Sequence, residues 1–384
     1  MKKKPDRVWV EINLDHISHN YQQIKNHVGD EVMINGIIKA DGYGHGVIET
    51  AKILCENNVA MLSTATLDEA LQLRKNKIDV PLLVLGYIDS DRIEEIIDND
   101  ITISVFSYDR ARNMSEAAKK YEKNVKVHMK VDTGMNRIGF HYTDPESIFD
   151  ALKLDNLEVN GIFTHFSKAD EKNRKYTNLQ YERFTDILSL IEERGYDIKI
   201  RHTCNSGGVI LHRDKHLNMV RPGIILFGLY PSEYVKNSSN LNLIPAMTFK
   251  SRVIEIKEIE GNQPVSYGGK FITDGKTRIA TIACGYADGF SRQLSSKVNV
   301  SINGSKVPII GNICMDMCMA DITGVDVKEG DEVILFDDVL TVERIAELCG
   351  TINYEIICKI GMRVPRVYIK NGKIVKIQNY LLST

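Results

Sequence analysis

The first two thirds of the chain repeat one pattern, in which a short apolar, β-branched run is followed by a longer stretch with helical spacing. Leu67–Lys77 and Tyr181–Arg194 are two such helical stretches. Eight strands linked by helical segments within about 200 residues are the content of a parallel (β/α)8 barrel, with a doubly wound open sheet as the alternative. The eight predicted strands are Val32–Lys39, Val59–Thr64, Leu82–Tyr87, Ile101–Phe106, Val125–Val131, Val159–His165, Ile198–Thr203 and Met219–Leu226.

Polar or charged side chains stand at the carboxyl ends of six of these runs. In a parallel barrel these ends share one rim, where the active site is built from strand ends and their loops. The pattern therefore favours the barrel over the open sheet and predicts one polar pocket, although any single strand end could simply meet solvent. The residues are Lys39, Tyr87, Lys130 with Asp132, His165, Asn205 with Ser206, and Arg221 with Gly223.

After about Ile244 the pattern changes to short alternating runs, of which Met247–Ile256 is the first. We predict an α/β protein with a barrel domain over residues 1–244 and a mainly β domain over residues 245–384. The early strand Trp9–Leu14 fits either domain, and a helix is predicted over Asp15–Asn26. Further strands are predicted at Lys297–Ile302, Glu332–Phe336 and Arg366–Ile369, with turns at Asn303-Gly304 and Asn371-Gly372.

The composition mainly excludes classes of protein. The apolar fraction of 43% and the charged fraction of 26% are typical of soluble globular proteins. A net charge of −2 supplies no basic field for nucleic acid or an anionic membrane, and no apolar run is long enough to predict a membrane span. Seven scattered cysteines fit reduced thiols better than a disulfide framework. The sequence therefore predicts a cytoplasmic protein that binds neither nucleic acid nor membrane.

The strand that ends at Lys39 continues into the glycine-rich segment Ala40–Gly46. A lysine that leaves an apolar strand is partly desolvated, which lowers its pKa and makes the neutral amine available as a nucleophile. Schiff-base chemistry is the use this favours, and a lysine that reaches solvent is the alternative. The glycines do not have the spacing of a dinucleotide-binding fingerprint.

Two later segments are suited to holding a phosphate. Asn205-Ser206-Gly207-Gly208 follows a strand and opens a helix, so its hydroxyl and backbone N–H groups can face an anion. Arg221-Pro222-Gly223 ends the eighth strand, and barrels often bind phosphate at the loops after strands seven and eight. An ordinary helix cap and a tight turn are the alternatives.

Together these segments resemble the alanine racemase family, in order and over nearly the whole chain from Trp9 to Tyr368. Any one segment could arise by chance, but the set spans both predicted domains and is highly specific. The resemblance rests on the segment Lys39–Gly46 and on Lys130–Phe140, Thr164–Phe166, Asn205-Ser206, Val220–Gly223, Val265–Gly268, Gly285–Gly289 and Cys314–Asp316.

The resemblance implies a pyridoxal 5'-phosphate enzyme that works as a homodimer, each active site using residues of both chains. Inverting an α-carbon needs an acid or base on each face of a planar centre. By similarity Lys39 binds the cofactor and works on one face, and Tyr267 of the partner subunit works on the other. His165 is expected beside that tyrosine and next to Arg221, which faces the pyridine nitrogen.

The remaining site residues also come from the resemblance. Arg137 and the backbone N–H of Met315 are expected to bind the substrate carboxylate. Lys130 corresponds to a position that is a carbamylated lysine in many members, and an unmodified Lys130 bonded to Asp132 is the alternative. Cofactor contacts are expected from Tyr43, Asn205, Ser206, Gly223, Ile224 and Tyr354, and the entrance from Asp170, Tyr286 and Arg292.

The resemblance thus implies interconversion of L- and D-alanine, which would supply D-alanine for peptidoglycan in a bacterium. Gly42, Phe227 and Met317 depart from the commoner family pattern, which leaves a serine or broader-specificity racemase open. A decarboxylase and a non-catalytic cofactor-binding protein also stay open, although neither needs two bases. No metal is predicted, because His212 and His216, taken as exposed, lack the glutamate of a metalloprotease motif.

Overall fold

The computed structural model describes residues 5–382, which divide into two compact units. Residues 18–42 and 47–243 form one unit, and residues 5–17, 43–46 and 244–382 form the other. Within the described residues, no helix is both long and apolar enough to cross a membrane.

The first unit is a closed barrel of parallel strands. Each strand pairs with its neighbour in the chain and the last pairs with the first, with Met219–Val220 beside Met33–Ile37. All eight predicted strands are found in the described part of the chain, so the barrel is confirmed. Their bounds are Met33–Ile37, Met61–Thr64, Leu82–Val84, Ile101–Val105, Val125–Asp132, Leu157–Phe163, Ile200–His202 and Met219–Val220.

The final barrel strand is much shorter than predicted. It ends at Val220, and Ile224–Phe227 instead form a 3₁₀ turn. Pro222 lacks a backbone N–H and Gly223 leaves the extended conformation, with φ −121° and ψ −92°, so the apolar run cannot continue as a strand.

Helices follow most of the barrel strands, and local capping fixes where several of them begin. Thr66, Ser107, Asp144 and Asn205 each accept a hydrogen bond from a backbone N–H three residues further on. The helices are Leu14–Val28, Val47–Glu56, Leu67–Lys75, Ile93–Asp98, Tyr108–Lys120, Pro145–Leu152, Lys175–Glu193, Ser206–Leu211 and Glu233–Ser238.

The strand register determines what fills the barrel. Met61, Leu83 and Met219 form a buried apolar cluster. His128 lies opposite Gly161, and two residues nearer the carboxyl ends Lys130 lies opposite Phe163. Side chains two residues apart lie on the same face of a strand. His128 and Lys130 therefore lie on one face, with Lys130 nearer the rim.

The second unit is a mainly β domain, as predicted. Its nine-stranded sheet curls so that Met247–Ile259 also pairs with Thr277–Ile282. In sheet order its strands are Thr277–Ile282, Cys318–Asp321, Ser305–Ile310, Asn299–Ile302, Glu332–Phe336, Met247–Ile259, Val8–Asn13, Arg366–Lys370 and Lys373–Gln378. A small hairpin, Pro264–Val265 with Phe271–Ile272, and the helices Val342–Cys349 and Asn353–Cys358 complete it.

The strand Val8–Asn13 pairs with two strands of this sheet, antiparallel to Met247–Ile259 and parallel to Arg366–Lys370. It therefore lies in the mainly β unit, one of the two placements that the sequence left open. The Asn303-Gly304 and Asn371-Gly372 pairs both have positive φ angles, as a two-residue type I′ hairpin requires.

Candidate active site

Lys39 lies two residues after the end of the first barrel strand, at the start of a left-handed turn. Its neighbour Ile38 donates its N–H to the carbonyl of Ser63, which holds the strand end in place. Ala40 and Asp41 both have φ of 53°, a conformation that costs L-residues roughly 1–2 kcal/mol each. The turn is held by bonds from Ala40 N–H to Glu69 and from Val47 N–H to Asp41. Its strained backbone is typical of a functional site.

Arg221 is buried at the carboxyl end of the last barrel strand. Its guanidinium donates to the carbonyls of Thr164 at 2.6 Å and Thr203 at 2.8 Å, and to Nδ1 of His202 at 2.8 Å. Burial lowers the pKa of Arg221 to about 10, so it remains protonated at neutral pH. The side chain is therefore a fixed cation in the barrel mouth.

The bond from Arg221 continues into the barrel through two histidines that the sequence analysis did not select. A guanidinium only donates, so Nδ1 of His202 accepts and its Nε2 carries the proton. That Nε2 lies 2.9 Å from Nδ1 of His128, which therefore accepts in turn. A Cβ at residue 161 would lie 2.6 Å from the His128 ring, so Gly161 makes room for the imidazole. A single histidine in an apolar strand gives no indication in the sequence that it belongs to such a series of hydrogen bonds.

Burial keeps both histidines neutral. Desolvation, followed by the charge of Arg221, lowers the pKa of His128 to about 3 and that of His202 well below its usual value. A group whose pKa is lowered on folding stabilises the protein above its unfolded pKa and loses that contribution as the pH falls.

We therefore expect the free energy of unfolding to decrease below about pH 6.5, by about 2 kcal/mol per histidine between pH 6.5 and pH 5. Urea unfolding at several pH values measures this. His128→Gln should show a smaller decrease than wild type, whereas His141→Gln, at an exposed histidine, should follow wild type. If His128→Gln retained the full pH dependence, the assignment of a buried neutral His128 would be wrong.

His165 lies between Arg221 and Asn205. Its Nδ1 is 3.5 Å from Nη2 of Arg221, and its Nε2 is 3.5 Å from Nδ2 of Asn205. Asn205 also donates to the carbonyl of Phe166 and caps the helix Ser206–Leu211. Desolvation and the charge of Arg221 lower the pKa of His165 well below its usual value, so the imidazole is neutral.

The two predicted phosphate segments meet in the barrel unit. Ser206 Oγ accepts the N–H of Gly223 at 2.9 Å, which joins the helix start to the end of the last strand. Gly207 and Gly208 pack closely on their neighbours, since a Cβ at residue 207 would lie 3.1 Å from the backbone of Ala169. Ile224 is buried directly after Gly223.

Tyr43 and Tyr354 lie together in the mainly β unit, with ring centroids 6.1 Å apart. Tyr43 is buried, and burial raises its pKa, so its hydroxyl remains protonated and able to donate. The sequence predicts that both residues contact the cofactor, with simple packing as the alternative. The pairing of the two rings fits both roles.

Lys130 is buried at the barrel mouth, 5.9 Å from the centroid of the Phe163 ring. Arg221 lies 5.2 Å from the same centroid. Burial and the nearby charges of Arg137 and Arg221 lower the pKa of Lys130 to about 7. At neutral pH much of this lysine is therefore the uncharged amine, the form that can react with carbon dioxide.

Asp132 organises the loop that leads to Arg137. Its Oδ1 accepts the N–H groups of Gly134, Met135 and Asn136 at 2.9–3.1 Å. Arg183 and Tyr176 bond the carbonyls of Thr133 and Gly134 in the same loop. Arg137 itself is exposed, within electrostatic range of Lys130 and His165.

Tyr267 and Met315 are exposed on the mainly β unit. Tyr267 is 72% exposed although its backbone is held by a bond from Asn312 to its carbonyl. Met315 is 52% exposed, and Tyr286 and Arg292 are exposed on neighbouring 3₁₀ turns. Asp170, in the barrel unit, is half-buried and its carbonyl accepts from Ser232.

Two predictions about individual side chains are wrong. Tyr87 does not join the polar groups of the rim: it is largely exposed, bonds Asp89 and stacks on Arg110 at 3.6 Å. His212 and His216 are buried rather than exposed. His216 bonds the carbonyl of Val209, and burial lowers the pKa of His212 to about 4, so both are uncharged side chains of the interior.

Comparison with known proteins agrees with the geometry. Residues 12–231 match the model for the alanine racemase N-terminal domain, and residues 246–368 match the model for its C-terminal domain. The alanine racemase of Clostridium kluyveri is 44% identical, with 100% of both chains covered. The structure of alanine racemase from Clostridium difficile 630 superposes with a TM-score of 0.95 at 43% identity, covering 99% of this chain and 100% of that one.

A more distant structure carries information on the cofactor. It is alanine racemase from Bartonella henselae with covalently bound pyridoxal phosphate, 28% identical with a TM-score of 0.85, covering 95% of this chain and all of that one. Since the two family models together span both units and the relatives match end to end, this chain belongs to the alanine racemase family.

Proposed function

We propose that this chain is an alanine racemase that interconverts L- and D-alanine, with pyridoxal 5'-phosphate as cofactor and a homodimer as the working form. The observation that most supports the proposal is the cluster of polar and charged side chains at the barrel mouth. There His165, which is neutral, and Lys130, which is partly neutral, both lie within electrostatic range of Lys39 and of the buried Arg221. Family membership over the full length supports the same activity.

The residues present fit an anionic cofactor. Ser206 Oγ accepts the N–H of Gly223, so its own O–H remains to donate to a phosphate, and Ile224 follows Gly223 in the chain. By the family resemblance, Tyr43 and Tyr354, whose rings pair, would contribute further contacts to the cofactor. Asn205 would fix this end by holding the start of the helix Ser206–Leu211.

Arg221 would face the pyridine nitrogen of the cofactor. A cationic guanidinium cannot give that nitrogen a proton, so the ring withdraws electrons less strongly than it would beside a carboxylic acid. When bound, pyridoxal phosphate acidifies the α-proton of an amino acid by delocalising the charge left behind. The chain of bonds to His202 and His128 would hold Arg221 in place for this role.

Lys39 would link covalently to the cofactor and then, once freed by the substrate, move a proton on one face of the α-carbon. Its place after a buried strand and before a held, left-handed turn fixes its backbone at the carboxyl end of the strand.

Tyr267 of the partner subunit would move the proton on the opposite face, with His165 as its neighbour. Its exposed phenol on a backbone-anchored turn suits a residue that serves another chain. Arg137 and the backbone N–H of Met315 of the partner subunit would bind the substrate carboxylate, for which a guanidinium is geometrically suited. Asp170, Tyr286 and Arg292 would line the entrance.

Lys130 would orient Arg137, carbamylated as in many family members. Its pKa of about 7 supports this, because carbamylation requires the neutral amine. The alternative is an unmodified Lys130 paired with Asp132, which lies within electrostatic range; three backbone N–H groups engage Oδ1 of Asp132, which leaves Oδ2 for that pairing.

The proposal is tested by α-deuterium exchange from heavy water with a panel of amino acids. The expected result is exchange and inversion of both alanine enantiomers, with serine and larger amino acids much slower. Comparable rates for serine would favour the broader-specificity racemase. Carbon dioxide release without inversion would identify a decarboxylase, and purified protein with bound cofactor but no exchange would identify a non-catalytic binding protein.

A further inference from the structure

Asp288 is a completely buried carboxylate in the mainly β unit. Arg7 bonds both of its oxygens, with distances of 2.8 Å to Oδ1 and 2.7 Å to Oδ2. Arg363 donates to Oδ1 at 2.8 Å, and the N–H of Gly285 donates to Oδ2 at 2.9 Å. Burying a charge is expensive unless it is paired and fully hydrogen-bonded, and four donors meet that condition here.

The two arginines that hold Asp288 also hold the turn that contains Met315. Arg7 donates to the carbonyl of Asp316 at 2.9 Å. Arg363 donates to the carboxylate of Asp316 at 2.7 Å and to the carbonyl of Met315 at 3.4 Å. Since a guanidinium is a planar fork, fixing one edge on Asp288 also fixes the direction of the other donors.

The backbone next to Asp288 lies on the same turn. The N–H of Tyr286 donates to the carbonyl of Cys314 at 3.0 Å, and the N–H of Ala287 donates to that of Met315 at 3.1 Å. A Cβ at residue 285 would lie 2.3 Å from both of these carbonyl oxygens, so only Gly285 permits the approach. Asp288 thus ties together the backbone segments 285–288 and 314–316.

This arrangement sets the direction of the Met315 N–H. In a planar trans peptide, the N–H of Met315 points opposite to the carbonyl of Cys314. Because that carbonyl is bonded to Tyr286, the N–H points away from residues 285–287. Within residues 5–382 it has no hydrogen-bond acceptor. It is a donor with a fixed direction, next to a half-exposed side chain.

We propose that Asp288 is a positioning residue for substrate binding, which acts through Arg7 and Arg363 to keep the Met315 N–H aimed at the substrate carboxylate in the partner subunit's site. The inference rests on the proposed function, in which that N–H binds the carboxylate. Asp288 itself touches neither substrate nor cofactor in this account. Its effect is on affinity for the carboxylate, and proton transfer is left to Lys39 and Tyr267.

The test compares Asp288→Asn and Asp316→Ala with wild-type holoenzyme. Asp288→Asn keeps the shape of the side chain but removes the charge that pairs with two arginines. Asp316→Ala removes only the exposed carboxylate bonded by Arg363, so it folds even if the buried substitution does not. We expect KM for alanine, and the inhibition constant of propionate, a carboxylate without an amino group, to rise together by about ten-fold in each variant, with a smaller change in kcat.

Two matched variants separate positioning from general stability. Asp316→Asn retains an acceptor oxygen for Arg363 and should restore KM and the propionate constant to near wild-type values. Asp331→Asn alters a carboxylate that holds the exposed turn at Lys328 and Asn303, and it should leave both constants unchanged. A purely structural role would lower the melting temperature and leave the propionate constant of the folded protein unchanged.

The outcomes separate this inference from the proposed function. Wild-type enzyme that fails to exchange the α-proton of alanine would overturn both. Active wild type, with a folded Asp288→Asn at an unchanged KM and propionate constant, would overturn the inference alone; if Asp288→Asn does not fold, unchanged constants in Asp316→Ala would overturn it. A parallel rise in both constants, reversed in Asp316→Asn, is the result that supports it.

Discussion

Replacing Lys39 with alanine should abolish racemisation, with a loss of at least about 10⁴-fold in kcat, because the variant lacks both the covalent attachment point and one of the two bases. The covalent attachment of the cofactor to Lys39 can be detected without measuring turnover. After borohydride reduction, peptide mass spectrometry should find the cofactor on Lys39 in wild type and no modified peptide in the variant.

The control for this substitution is Lys153→Ala, which removes an exposed lysine that pairs with Asp150 on a barrel helix. It should keep wild-type turnover and the modified Lys39 peptide. Cofactor found on another lysine in wild type, or appreciable turnover in Lys39→Ala, would contradict the assignment of Lys39.

Tyr267→Phe should retain the cofactor and the fold, since only one phenolic oxygen is removed and the side chain is largely exposed. It should lose about 10²–10⁴-fold in racemisation, because it lacks one of the two bases. Because each base serves one face, the variant should still exchange the α-proton of one alanine enantiomer without inverting it. Chiral chromatography combined with mass spectrometry of the deuterium content measures both quantities.

Tyr121→Phe is the matched control, since it removes a surface phenol bonded to Asp98 on the barrel. It should behave as wild type. Equal loss of exchange for both enantiomers in Tyr267→Phe would argue against a tyrosine that acts on one face, and unchanged racemisation would remove Tyr267 from the mechanism.

The barrel was predictable from the sequence because parallel strands buried on both faces leave continuous apolar, β-branched runs. The ends of the barrel strands were less predictable. The run Met219–Leu226 predicts one long strand, but Pro222 and Gly223 end it after two residues. Likewise the pattern could not decide which unit contains Val8–Asn13, because the sequence of a strand carries no information about its distant pairing partners.

The candidate site was predictable where motif residues stand at strand ends, as for Lys39, His165 and Arg221. His128 and His202 were missed, because their role depends on strand register, which places both rings inside the barrel in line with Arg221. Asp288 was missed for a similar reason. Its partners Arg7 and Arg363 lie far away in sequence, so nothing local distinguishes this carboxylate from one in solvent.

Exposure was also hard to predict for isolated polar residues. His212 and His216 have the spacing of zinc ligands but lack the glutamate of a metalloprotease motif, which favours two exposed histidines, yet both are buried. Each is neutral, which removes most of the cost of burial.

The central claim is that each active site combines Lys39 of one subunit with Tyr267 of the other. The direct measurement is the racemisation rate of heterodimers formed from Lys39→Ala and Tyr267→Phe chains and purified through two different affinity tags; each variant alone should racemise at least about 10²-fold more slowly than wild type. With shared sites, one of the two sites in each heterodimer regains both bases, so we predict about half of wild-type turnover. If both bases came from the same chain, neither site would be complete, and an inactive heterodimer would contradict the account.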